Sequence, residues 1–410
     1  MAKKLVSFLG ISDYKKTEYS FADEKISCKF IQTAIYKIVC KDFSGDDSIV
    51  IFATDEANEK HFCDLKNELQ SLQCESEIVC KKIDASKTES DVWNLFDAIF
   101  DELKTDDEII FDITHSFRYL PMICFSLLYY AETIKKITID GIFYGAWEAR
   151  NENNVTPIFD LTNAYEILQW TEAASAFVHY GHGDKMYQLV QKTAKDFHGT
   201  KKLANDIEAV SNAINCNRGN EIYQGKIFSK IQNDIAELKN TKMQKPLEAF
   251  SNIVNKRMEN FSENNMYNFI PAVEWCIQSG KIVQGITFLQ EGLVSFVLEK
   301  NKFDIHERDL RIALSSRFQK KSIEKNQEKK WNEIKETEKY KTELETIISN
   351  DEQFFENIGD LYSKIAQVRN DVNHGGVNEG SRNAQSIIAK LKNYFEETKT
   401  LLENYDGKKK

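Results

Sequence analysis

A chain of 410 residues is long enough for roughly two to three domains, each burying its own core, which excludes a small scaffold held by disulfides. With 41% hydrophobic residues, 29% charged residues and only 4 prolines, it reads as a folded, helix-rich protein rather than a disordered one. A net charge of −10 argues against wholesale electrostatic binding to nucleic acid, so any anionic ligand needs a focused basic site.

From the amino terminus to about Ile158, short β-like runs alternate with helical segments. LVSFLGI (Leu5 to Ile11), SIVIFA (Ser48 to Ala53), SEIVCKKI (Ser76 to Ile83), EIIFDIT (Glu108 to Thr114) and KITIDGIFYGAW (Lys136 to Trp147) read as strands. The inner ones are almost continuously apolar, as in a sheet covered on both faces. The segments between them carry apolar residues at three- and four-residue spacing, the pattern of amphipathic helices. This alternation predicts a Rossmann-like α/β fold with a doubly wound parallel sheet, the later strands and VTPIFD (Val155 to Asp160) forming an antiparallel edge. The apolar run Pro121 to Ala131 falls well short of the roughly 20 residues of a membrane span, and MAKKLVSFLGI runs into YKKTEY without a cleavable apolar region. The eight cysteines, at 28, 40, 63, 74, 80, 124, 216 and 276, form no C-x-x-C pair and are expected to be reduced core residues of a cytoplasmic protein.

After Asp160 the pattern is helical throughout, broken near Gly181 to Asp184, Phe197 to Lys202, Asn215 to Asn220, Ser262 to Asn265 and His374 to Gly380. An α/β domain at 1–160, a helical linker region at 161–265 and an all-α bundle at 266–410 are therefore expected. The Lys/Glu-rich stretch Gln319 to Glu345 reads as a solvated helix or mobile insertion, and the GKKK tail as frayed.

Two clusters carry candidate chemistry. Ligands of open α/β sheets bind beyond the carboxyl ends of the strands, and two such ends here are polar. The first strand runs into Gly10-Ile11-Ser12-Asp13-Tyr14-Lys15-Lys16-Thr17, which is not the G-x-G-x-x-G of a dinucleotide fingerprint. The fourth ends in Asp112-Ile113-Thr114-His115-Ser116-Phe117-Arg118. There, at a helix start, Thr114 and Ser116 can donate to phosphate oxygens and Arg118 can make a bidentate contact. The plainer alternative is that Thr114 and Ser116 cap the next helix while Arg118 is a surface cation.

The second cluster is Val368-Arg369-Asn370-Asp371-Val372-Asn373-His374-Gly375-Gly376. On a regular helix Arg369 and His374 stand roughly 140° apart, whereas Asn370 and His374 share a face at i,i+4. RNA carries its own nucleophile, the 2′-OH, so its cleavage requires only proton transfer and charge stabilisation, which histidine and arginine supply without a metal. No H-E-x-x-H, D-x-D-x-D-G or clustered Cys/His set is present, and His179-Tyr-Gly-His182 reads as a linker turn.

FLGISDYKKTEYSF followed by the D-x-T-H-x-x-R-x-x-P turn resembles the CRISPR-associated Rossmann-fold (CARF) domain of type III CRISPR ancillary ribonucleases, and HYGHGDKMYQLV (His179 to Val190) resembles the link that follows such domains. The resemblance covers roughly residues 1–190. It implies a domain that dimerises and binds a cyclic oligoadenylate, tetraadenylate in preference to hexaadenylate, across the two-fold axis. Gly10, Ser12, Tyr14, Thr114, His115, Ser116 and Arg118 would line that pocket. Residues 265–405, with GKIVQGITFLQEGLVSFVLEK and the R-x4-H of Arg369 and His374, resemble the HEPN ribonucleases, whose motif forms a composite site at a dimer interface. The two resemblances imply a ligand-activated, metal-independent endoribonuclease of single-stranded RNA, a homodimer or a higher oligomer of dimers, with Arg369, Asn370 and His374 catalytic. A regulator that binds the same ligand and acts through protein or nucleic-acid contacts, without catalysis, is the alternative.

Overall fold

Side chains alternate across a strand, and β1 (Lys3–Leu9) accordingly sends Leu5 and Leu9 into one core and Val6 and Phe8 into another. In the computed structural model, which describes residues 2–84, 88–115, 119–192, 200–239, 245–323, 335–377 and 380–407, β1 is followed by β2 (Thr17–Phe21), β3 (Glu24–Cys28), α1 (Ile31–Ile38), β4 (Ser48–Ala53), the single turn α2 (Asp55–Ala57), a π-helical turn (Asn58–Phe62), α3 (Cys63–Ser71), β5 (Glu77–Lys82), α4 (Glu89–Glu102), β6 (Glu108–Asp112), α5 (Leu120–Lys135), β7 (Thr138–Gly145) and β8 (Val155–Asp160). These strands form one sheet in the order β3-β2-β8-β7-β6-β1-β4-β5. From β7 to β5 it is parallel, and α1 and α3 cover one face while α4 and α5 cover the other.

The five expected strands and the parallel sheet are present, but the edge differs. β8 does pair antiparallel with β7, yet it is not the edge, because the β2–β3 hairpin adds to its free side with β2 parallel to β8. Only Cys28, Cys40, Cys124 and Cys276 are buried as core residues; Cys63 and Cys216 are exposed.

The chain divides into two compact units, Met1–Leu168 and Gln169–Lys410. α6 (Thr162–Tyr180) runs across that boundary, and the second unit continues as α7 (Asp184–Lys192), α8 (Thr200–Asn215), α9 (Gly219–Gln224), α10 (Lys226–Lys239), α11 (Lys245–Met258), α12 (Phe269–Gln278), α13 (Ile282–Lys300), α14 (Arg308–Ile323), α15 (Lys335–Lys339), α16 (Lys341–Asn350), α17 (Glu352–Asn373) and α18 (Ala384–Gly407). Among the described residues no strand follows Asp160. One apolar core extends from Ala173 to Tyr405, so the linker region expected at 161–265 and the bundle expected at 266–410 pack around a shared interior. In the Lys/Glu-rich stretch α14 reaches Ile323 and helix resumes at Lys335, while 324–334 lie outside the described residues, as do 193–199, which include the start of the break expected at Phe197 to Lys202, and 408–410 of the tail.

α13 is long and apolar enough to cross a membrane by length and composition, but 61% of that window is buried as the centre of the bundle. Gly292, midway along it, lies against the Phe269 ring, where an added Cβ would come within 2.4 Å. Gly292→Ala is therefore expected to destabilise the helical unit by about 1–3 kcal/mol through overpacking. A denaturation midpoint within error of the wild type would contradict this packing.

Candidate functional site

β1 lies between β4 and β6, and the chain builds β4 and β5 on one side of it before crossing back to β6 and β7 on the other. The topological switch point is therefore the gap between the carboxyl ends of β1 and β6, where the loops starting at Gly10 and Ile113 emerge.

In the first loop the Gly10 N–H donates to Tyr14 Oη at 2.8 Å. The Tyr14 ring meets His115 edge-on at a centroid distance of 4.6 Å, His61 at 4.7 Å and Phe30 at 4.9 Å. Burial pushes the Tyr14 phenol well above its ordinary pKa. Tyr14 is thus a pillar under the loop, its hydroxyl engaged with Gly10, whereas Ser12 is exposed. Gly10 is not sterically required, since an added Cβ would lie 3.7 Å from its nearest neighbour.

The second loop hangs on Asp112, which is fully buried. Its Oδ2 accepts from Ser7 Oγ at 2.6 Å, and its Oδ1 accepts from both the N–H and the hydroxyl of Thr114. Ser7 accepts in turn from Gln32 Nε2 at 3.0 Å, and Thr114 Oγ1 accepts from the Gly145 N–H at 2.8 Å. The Thr114 hydroxyl therefore ties β6 to the end of β7. It caps no helix: α5 starts only at Leu120, behind Tyr119, with no side-chain cap. Ser116 and Arg118 lie outside the described residues.

His115 packs against Tyr14, and its Nε2 is buried without a hydrogen-bond partner among the described residues. Burial, with a smaller push from His61, lowers its pKa to about 4, so at neutral pH it is an uncharged ring and not a phosphate-binding cation. Because its ordinary pKa is 6.5, the unfolded chain takes up a proton that the folded ring resists. The stability from this site is fully present above about pH 6.5 and is lost as pH falls towards 4. His115→Gln is expected to remove an acid-side loss of up to about 3 kcal/mol, read as a smaller drop in denaturation midpoint between pH 7.5 and 4.5. An unchanged drop would contradict it.

Sequence reasoning missed His61. It sits in the π-helical turn, is 4% exposed, and places Nε2 2.9 Å from the Ser12 carbonyl, beneath the first loop. Its neighbour Lys60 donates to the Ile11 carbonyl at 2.9 Å.

In the helical unit, Arg369 and Asn370 lie on the last turn of α17 and His374 is its C-cap, its N–H donating to the Asn370 carbonyl. Gly375 and Gly376 follow at φ 68° and 67°, left-handed conformations that stop the helix. His374 and Asn370 are exposed, whereas Arg369 is half-buried with its Nε covered and unpartnered among the described residues. The guanidinium is close enough to the buried Tyr362 to oppose the burial that raises that phenol's pKa. No hydrogen bond joins the side chains of Arg369, Asn370 and His374 among the described residues. The loop after His374 is closed by Asp371, whose carboxylate accepts from the Arg382 N–H at 2.9 Å and its guanidinium at 3.3 Å.

A doubly wound sheet with polar loops gathered at its switch point defines an α/β domain of the Rossmann-like class. Residues 4–148 match the family model described as CRISPR system endoribonuclease Csx1, CARF domain, and residues 166–273 match CRISPR-associated protein MJ1674, second domain. CRISPR-associated protein MJ1674 of Methanocaldococcus jannaschii is 28% identical over 141 residues, 34% of this chain and 21% of that protein, so the chain spans about a fifth of the length of this curated relative. Residues 4–148, most of the amino-terminal unit, thus carry a CARF domain, and the matched families are CRISPR-associated. The second match covers most of the region expected as a linker.

Proposed function

We propose that the CARF unit binds a cyclic oligoadenylate, tetraadenylate in preference to hexaadenylate, and that the helical unit is a metal-independent endoribonuclease of single-stranded RNA switched on by that ligand. The observation that carries this reading is the presence, in one chain, of a CARF domain and of an Arg369-Asn370-His374 group at the exposed end of a bundle helix. The name of the matched family model, a Csx1 endoribonuclease, supports the same activity.

In the proposed reaction the substrate's 2′-oxygen attacks the adjacent phosphorus and the bond to the 5′-oxygen breaks, leaving a 2′,3′-cyclic phosphate and a 5′-hydroxyl. The imidazole of His374 moves the proton, Asn370 orients the ring, and Arg369 stabilises the charge that builds on phosphorus-bound oxygens. One Arg and one His make a sparse site, and a pair of chains supplies two. An exposed apolar stripe on α5, Met122 at 78%, Tyr130 at 48% and Ile134 at 57%, with Trp93 of α4 at 60%, supports pairing of two copies. Two chains of net charge −10 dock most readily through such an uncharged face. Ligand binding activates the pair to the extent that the active arrangement binds the ring better than the resting one.

Calorimetric titration of the intact chain with cyclic tetraadenylate and, separately, cyclic hexaadenylate tests the sensor half. Saturation at one ring per two chains, tighter for the smaller ring, is the expected result. Binding of neither ring would overturn the assignment.

A further inference from the structure

Two consecutive residues of the π-helical turn Asn58–Phe62 hold three consecutive residues of the loop after β1. Lys60 Nζ lies 2.9 Å from the Ile11 carbonyl and 2.9 Å from Asp13 Oδ1, and His61 Nε2 lies 2.9 Å from the Ser12 carbonyl. π-Turns are rare and concentrate at functional sites, and the extra residue per turn changes which side chains face a neighbouring loop. His61 is 4% exposed, with its Nδ1 covered and unpartnered among the described residues, so this side of the latch belongs to the core. Lys60 and Asp13 are different: their side chains are 44% and 84% exposed, Asp13 in the loop that follows β1 and Lys60 in the turn that follows β4.

An ammonium has three donors, and two of those on Lys60 are used within the loop. Asp13 can only accept, and it presents a carboxylate where an anionic ligand has to approach. An exposed pair of this kind is weak, and a phosphate group, with more oxygens and more charge, can displace the carboxylate from the ammonium.

We infer that Lys60 is a phosphate contact of the sensor ligand and that Asp13 is an internal competitor occupying Lys60 until the ligand arrives. This rests on the reading of the switch-point crevice as the cyclic oligoadenylate site, and it adds a residue and a threshold-setting device to that site. Loss of Asp13 frees the cation and lowers the ligand concentration at which the site fills. Loss of Lys60 removes both the contact and the reason for Asp13 to matter.

The test titrates the intact chain with cyclic tetraadenylate and cyclic hexaadenylate over a range of salt concentrations, using wild type, Lys60→Met, Lys60→Arg, Asp13→Asn and the Lys60→Met/Asp13→Asn double variant. Lys60→Met is expected to weaken binding about tenfold or more and to reduce the slope of log affinity against log salt by roughly one. Lys60→Arg keeps most of the affinity. Asp13→Asn tightens binding about two- to fivefold, and that gain vanishes in the Lys60→Met background. Wild-type affinity in Lys60→Met would overturn the inference, as would weakening with an unchanged salt slope, which marks a merely structural latch. An Asp13→Asn gain that persists without Lys60 would overturn the competition. A wild type that binds neither ring would overturn the reading of the site itself, a separate outcome from the others.

Discussion

His374→Ala is expected to lower ligand-activated RNA cleavage by about 10²–10⁴-fold, the contribution of a well-placed general acid or base, while leaving ring binding unchanged. The position makes this a clean test. His374 terminates α17, its side chain is exposed, and the glycines at φ 68° and 67° that follow are what turn the chain, so removing the imidazole disturbs neither core nor cap. The melting temperature should stay within error of the wild type. Arg369→Ala is a poorer probe, because Arg369 is half-buried near Tyr362 and its loss also removes packing. Full cleavage by His374→Ala, in a preparation whose wild-type activity responds to the ring, would show that the reacting groups lie elsewhere.

Asp112→Ala is expected to destabilise the CARF unit by about 3 kcal/mol, because among the described residues the carboxylate accepts from three donors, one buried and two part-buried, and its loss leaves them unpaired. The Ser7 hydroxyl, the Thr114 N–H and the Thr114 hydroxyl all end on it, and through them β1, β6, β7 and α1 are tied at the level of the loops that follow β1 and β6. Asp112→Asn keeps one acceptor oxygen and should cost less, on the order of 1 kcal/mol. Native-state hydrogen exchange at the amides of β1 and β6 measures this within one unit of a two-unit chain. Protection in Asp112→Ala equal to that of the wild type would contradict the role assigned to the network.

Most of the amino-terminal fold was legible because the inner strands, such as Ile49 to Ala53, are buried on both faces and write that burial as a continuous apolar run. The β2–β3 hairpin was not. Its strands mix charged and apolar residues, and its turn is built on Ala22 at φ 50°, a conformation usually announced by Asn or Gly. Helix periodicity in the second half foretold the elements but not their grouping, since a period of 3.6 marks an apolar face without naming what covers it. At the site, His115 and Tyr14 were singled out by their places beyond strand ends, but the sequence does not tell that the one is an uncharged ring and the other a pillar under the loop. His61 and Lys60 reach the same loop from the turn after β4, a contact made by the sheet order rather than by any local motif. The Arg369 and His374 pair was readable as residue types, but a single chain does not join their side chains, and no spacing rule states where a second copy would sit.

The most direct test of the account is cleavage of a fluorogenic single-stranded RNA in the presence of EDTA, with no ring, cyclic tetraadenylate or cyclic hexaadenylate added. Low cleavage alone and a strong rise with one ring, the smaller preferred, is the predicted result. Silence with both rings in EDTA, by a chain that binds one of them, would contradict a ligand-activated, metal-independent ribonuclease and leave the CARF unit serving a regulator that works through partner contacts.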